Sequence, residues 1–217
     1  MKFHYFKVDL TVFLIILLIL FFTLFCGDLF PFLTIFLIKY RFYFLVFTLM
    51  AIIYLYSPFP KREKQTLKSF FFCSIIPLLF CLVTTFSINL LLSSIASYTG
   101  IQNKQIFNYP ATASSWAKIL IQFLFMAVYE EITFRFYLPD MMKHLVCIKK
   151  ENKYLKLLCE IFACLLFAFG HFYMGILAVI NALLAHIIFR IVYIKTDNIL
   201  VTTTAHFIYN TISLTLL

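Results

Sequence analysis

Seven stretches of this chain are apolar enough, and most are long enough, to cross a lipid bilayer. They run Leu10 to Cys26, Phe42 to Tyr56, Phe70 to Leu92, Trp116 to Leu138, Leu157 to Gly170, Phe172 to Ile194 and Ile199 to Leu217. A spanning helix takes about 20 apolar residues, because the hydrocarbon core is about 30 Å thick and an α-helix rises about 1.5 Å per residue. Phe42 to Tyr56 and Leu157 to Gly170 are short by this measure. A further piece, Leu29 to Ile38, is set off by Gly27, Asp28 and Pro31. It is too short to span alone and is read as extending or capping the first helix. Backbone groups in hydrocarbon must pair within the protein, which leaves helices or a closed barrel. Barrel strands alternate apolar and polar residues, whereas these runs are unbroken, and the chain has only four glycines. The expected fold is all-α: a polytopic transmembrane helical bundle of about seven spanning helices, enclosing a polar intramembrane cavity.

Charge gives the bundle an orientation. Only 12% of residues are charged, against about a quarter in a soluble domain. The net charge of +9 does not point to nucleic acid, because the basic residues cluster between the apolar runs. With seven crossings, one side receives Lys2, Lys7, Lys61, Arg62, Lys64, Lys68, Lys143, Lys149, Lys150, Lys153, Lys156, Arg190 and Lys195. The other receives Lys39, Arg41, Lys104 and Lys118, and Arg135 lies within a span. Such a bias marks the cytoplasmic side. It predicts a multi-pass protein of the cell membrane with a cytoplasmic N-terminus and an extracytoplasmic C-terminus. Lys2 and Lys7 precede the first apolar run as in a signal peptide, but no small-x-small cleavage site follows, so that run is read as a retained helix. The six cysteines form no CxxC pair and read as small hydrophobes. The long polar loop Ser93 to Ser115 separates two parts of one integral bundle. Residues 1–115 hold transmembrane helices without a chemical motif, and residues 116–217 hold the polar residues described next.

Three ionisable groups, Glu130, Glu131 and Arg135, lie inside the apolar run Trp116 to Leu138. Intramembrane charge is costly unless paired, and marks function by default. Glu131 and Arg135 are four apart, on one helix face and in the favourable order, which predicts a structural ion pair. Glu130 is rotated by about 100° and lacks an obvious local cation, so it is the candidate general base. Phe167 and His171 share a face at the end of the fifth run, and His206 and Asn210 share one in the seventh. Counting rise from Lys143, Lys156 and Lys195, Glu130 lies at about 20 Å, His171 at about 22 Å, His206 at about 16 Å and Asn210 at about 22 Å from one boundary. Similar depth on three helices is what a shared site requires. Asn181 and His186 read as packing contacts.

Glu130-Glu131-xxx-Arg135, Phe167-xxx-His171 and His206-xxx-Asn210, in this order, resemble the CPBP family of intramembrane proteases. That family includes CAAX endopeptidases and bacteriocin-processing or immunity (Abi-like) proteins. The resemblance spans Trp116 to Leu217. The segment from Phe189-Arg190 to Ile199 is also similar, although Asp197-Asn198 departs from the family's usual Thr-Gly-Ser. By this resemblance Glu130 and His171 orient and deprotonate a water, His206 and Asn210 stabilise the oxyanion, and Phe167 is a packing residue of its motif. A carboxylate base, an imidazole and an amide donor are also the parts amide hydrolysis needs. If the family's metalloprotease description applies, zinc would be held by Glu130, His171 and His206; a glutamate-activated water without tightly bound metal is the favoured alternative. The implied function is an intramembrane endopeptidase acting on a peptide or lipidated-protein substrate at the lipid bilayer. The competing reading is a non-catalytic immunity or partner-binding membrane protein of the same fold. A small transporter would predict related halves, and the chain has none.

Overall fold

The computed structural model describes residues 6–25, 31–58, 71–101, 109–147 and 152–216. All regular structure among them is helical. In chain order the elements are α1 (Phe6–Phe25), α2 (Pro31–Tyr56), a π turn (Phe71–Ile75) leading into α3 (Ile76–Thr99), and α4 (Ala113–Glu130). A π-helical segment (Glu131–Tyr137) then runs into α5 (Leu138–Val146), followed by α6 (Lys153–Phe169), a 3₁₀ turn (Phe172–Met174), α7 (Ile176–Thr196) and α8 (Ile199–Leu216). Three helical stretches among the described residues are long and apolar enough to cross a membrane: Phe71–Thr99, Lys153–Met174 and Ile176–Thr196. Many large apolar side chains stay exposed, among them Leu18, Phe47, Val83, Ile121 and Ile194. That is the surface of a protein solvated by lipid. The five described cysteines are free thiols, and three of them, Cys81, Cys159 and Cys164, are buried as small hydrophobes; Cys26 lies outside the described residues.

One expectation is overturned. Leu29 to Ile38 does not extend or cap the first helix: from Pro31 onward it is the start of α2, which runs unbroken to Tyr56. Proline fits a first helical turn, because its missing N–H has no intrahelical partner there and its φ is already helical. Lys39 and Arg41 do not end the helix either. The short run Phe42 to Tyr56 thereby becomes part of a 26-residue helix.

The chain divides into two compact units. The first combines Met1–Pro58 with Phe136–Ala163. Here α1 packs against α2 and α5. Ile16, Leu20, Leu45, Leu49 and Ile52 are buried. Asp9 is buried beside them, where Tyr56 donates to its Oδ1 at 3.0 Å and His144 Nε2 lies 3.3 Å from its Oδ2. The second unit combines Phe59–Arg135 with Cys164–Leu217. In it α3 packs against both α7 and α8, and α4 against α8. Its core gathers Cys81 of α3, Phe189 and Val192 of α7, and Val201 and Ala205 of α8. Every residue of the candidate site lies in this unit: on α4 and the start of the π segment, at the C-terminal end of α6 and just beyond it, and on α8.

Candidate active site

The helix that carries the glutamates starts cleanly. Thr112 caps α4: its hydroxyl accepts from the Ser115 N–H at 3.2 Å, and its own N–H donates to Ser115 Oγ at 3.0 Å. This reciprocal box satisfies main-chain donors that the first turn leaves open. Regular α-helix persists to Glu130 and then widens. The Glu131 N–H is shared between the carbonyls of Ala127 and Val128, and residues 131–137 form a π-helical segment. Such bulges are rare and occur often at functional sites. By its sequence the whole run Trp116 to Leu138 is expected to be α-helix. No residue in Glu-Ile-Thr-Phe-Arg-Phe-Tyr signals the wider turn.

Glu131 and Arg135 form the expected ion pair, Nη1 to Oε1 at 3.4 Å, with both side chains fully buried. The pair has more partners than the i,i+4 rule supplies. The Arg135 guanidinium carbon stands 3.9 Å from the centre of the Phe167 ring and 5.7 Å from that of Phe189. An aromatic face attracts a desolvated cation. Phe167 also packs edge-on against Phe134 at 5.3 Å, and against the imidazoles of His171 at 4.8 Å and His186 at 5.3 Å. The motif phenylalanine is therefore the floor under the motif arginine.

His206 joins the two glutamates. Its Nδ1 lies 2.9 Å from Glu131 Oε1, and its Nε2 lies 3.7 Å from Glu130 Oε2. A carboxylate can only accept, so Nδ1 carries a hydrogen and donates it to Glu131. Nε2 is left facing Glu130 beyond hydrogen-bond range but within ion-pair reach. Adjacent residues on a helix were expected to face apart, with Glu130 away from any cation. The imidazole overcomes this because its two nitrogens lie on different edges of one ring. The exposures divide as the roles would: the Glu131 side chain is fully buried, whereas 14% of Glu130 and 10% of His206 remain accessible.

His171 follows the end of α6 and caps the 3₁₀ turn. Its Nδ1 lies 3.0 Å from the Phe167 carbonyl. That oxygen also can only accept, so Nδ1 is protonated and Nε2 keeps the lone pair, the tautomer of a base. Neither His171 nor Asn210 makes a direct hydrogen bond or ion pair to Glu130, Glu131 or His206. Among the described residues no three of His, Cys, Asp or Glu are grouped to hold a metal ion. Glu130, His171 and His206 thus do not stand together as a zinc ligand set. His186 is buried against Phe167, and Asn181 donates to the Tyr209 hydroxyl at 2.7 Å.

Residues 112–212 match the family model of Rce1-like proteins, described as type II CAAX prenyl endopeptidase Rce1-like. The match opens on the Thr112 cap and includes all three motifs. No curated protein and no solved structure matches the chain. The match covers just under half of the chain, and over residues 112–212 it supports the resemblance to the CPBP/CAAX family of proteases.

Proposed function

We propose that this protein is an intramembrane endopeptidase that hydrolyses a peptide bond of a membrane-associated substrate with a glutamate-activated water. The observation that carries this reading is His206, bound through Nδ1 to a buried carboxylate and turned through Nε2 toward a second, accessible one. A purely structural arrangement would need Glu131 and Arg135 alone. Glu130 adds a second carboxylate in membrane-grade sequence, and that cost calls for a task.

The proton inventory follows from the side chains. Glu130, as carboxylate, takes a proton from water as the water oxygen attacks the scissile carbonyl, with His171 Nε2 as the second acceptor that orients the water. The developing oxyanion needs donors aimed at it. Asn210 offers its amide N–H. His206 already gives its Nδ1 hydrogen to Glu131, so it can donate from Nε2 only as the imidazolium formed by a proton from solvent; with Glu130 protonated and Glu131 paired to Arg135, the oxyanion itself is the charge it balances. Collapse of the tetrahedral intermediate returns the proton from Glu130 to the departing amine. Glu131, held by Arg135, fixes the orientation of His206, the role of a third group in a triad. No step is assigned to a metal. The family model points to a prenylated CAAX-type substrate, a cysteine carrying a lipid and followed by three residues, which would approach from the bilayer.

The test uses the purified full chain in nanodiscs and a fluorogenic peptide of that type. Glu130→Gln keeps the shape and removes the base, and cleavage should fall by about 10²–10⁴-fold. Asn210→Ala should lower it by about 10²–10³-fold, as loss of one oxyanion donor does. Both variants should melt like the parent, because neither residue holds the buried ion pair. A Glu130→Gln protein that cleaves as fast as the parent sinks the proposal.

A further inference from the structure

The turn that carries the glutamates is gripped by a side chain outside all three motifs. Arg190 of α7 is 5% exposed and donates through Nη1 to the main-chain oxygen of Arg135. Its guanidinium carbon also lies 5.5 Å from the ring centre of Tyr193. A buried cation in a membrane helix is expensive, and an apolar residue would fill the same space in α7 at less cost. The Arg135 carbonyl is one acceptor that its guanidinium serves. Arg135 O belongs to the π-helical segment, where the wider turn spoils the match between successive main-chain groups. A carbonyl in a low-dielectric setting needs a strong donor, and a guanidinium is among the strongest. Next to Arg190 on the same helix, Phe189 places its ring 5.7 Å from the His206 imidazole and 5.7 Å from the Arg135 guanidinium carbon. One stretch of α7 thus touches the main chain of the glutamate turn, its arginine and its histidine.

We propose that Arg190 is a positioning residue: by holding the Arg135 carbonyl it fixes the π turn in the register that gives Glu131 to Nδ1 of His206 and leaves Glu130 facing Nε2. Its kinetic consequence rests on the endopeptidase reading, but its structural consequence does not.

The experiment follows His206 directly. Histidine side chains are labelled with ¹⁵N in the full chain in nanodiscs, and the His206 signals are assigned by their loss in His206→Gln. In Arg190→Met the Nδ1 signal of His206 should leave its hydrogen-bonded position while the protein stays monodisperse. In Arg190→Lys, which keeps a donor, the signal should stay near that of the parent. With the prenylated peptide as probe, Arg190→Met should lower kcat by about 10²-fold, the scale of a misplaced catalytic group, and change KM little. Arg190→Lys should recover most of that loss. If Arg190→Met is recovered only as aggregate, Arg190→Gln, whose amide is too short to reach the same carbonyl, replaces it under the same criteria. A folded variant without the long donor that keeps the parent His206 signal overturns the proposal. If the parent does not cleave the probe, the endopeptidase reading fails and the His206 signal alone decides for or against Arg190.

Discussion

Arg135 is the residue on which most of the site's contacts converge. It neutralises Glu131, rests on Phe167 and lies near Phe189, with no exposure of its own. Removing one partner of a buried pair leaves the other charge uncompensated, at a cost of about 3–5 kcal/mol. Arg135→Ala strands Glu131, because the donors that remain, the His206 Nδ1–H and the Thr202 hydroxyl, do not replace a full cation. Arg135→Ala should therefore lower detergent-solubilised yield and thermal stability more than Glu130→Gln does. Equal yields of the two variants would mean that the guanidinium is not what balances Glu131. A second prediction concerns metal. Glu130, His171 and His206 are not grouped as a ligand set, so prolonged chelation should leave peptide cleavage at the parent rate. Loss of activity restored by added zinc would mean that the three residues rearrange around a metal during turnover.

Among the elements, α4 and the π segment after it set the register of the glutamates. Glu130 ends the regular helix and Glu131 opens the wider one. The direction of each carboxylate therefore depends on where α4 begins and where it widens. Its start is fixed by the Thr112–Ser115 box, four helical turns or more away. Thr112→Ala removes the hydroxyl that accepts from the Ser115 N–H, a loss of about 1 kcal/mol for a cap of this kind. Hydrogen exchange of the Ser115 amide should quicken by about 5-fold, the rate equivalent of that energy. Exchange near Glu130 should not change. Unaltered exchange at Ser115 would show the cap to be redundant. The sequence carried this part of the story unevenly. The Glu131–Arg135 pair was legible because i,i+4 spacing puts two charges on one face, and the wider turn still leaves them 3.4 Å apart. The π segment was not, although Pro139, four residues after Arg135, has no N–H to give that carbonyl and leaves room for the Arg190 donor. The same holds for Phe167 as the platform of Arg135 and for Phe189 beside His206: ring stacking between helices leaves no spacing signature in either helix. The start of α2 at Pro31 was legible in principle. Proline is at home in a first helical turn, but the short apolar piece was assigned to the wrong neighbour because Lys39 and Arg41 looked like a boundary.

At the scale of the whole chain, the apolar runs and the basic clusters constrain how it threads the bilayer. Moving the start of α2 back to Pro31 places Lys39 and Arg41 within a helix rather than in a loop. That leaves the positive-charge argument stronger, not weaker. The connections before α1, between α2 and α3 and between α5 and α6 hold Lys2, Lys61, Arg62, Lys64, Lys68, Lys149 and Lys150, while the alternate connections hold only Lys104. Arg190, assigned by sequence to the side of the first set, is buried within α7 and does not belong to a connection. Basic residues in short loops resist translocation, which predicts that the first set faces the cytoplasm. If α4, its π segment and α5 make one crossing, the number of crossings is odd and the two ends are expected on opposite sides. Reporter fusions, active only on one side of the membrane, should place the N-terminus in the cytoplasm and the C-terminus outside. Both ends on one side would remove a crossing. The lysine-rich connections would then be split between the two faces, and His206 on α8 would run in the opposite sense to the one its depth implies.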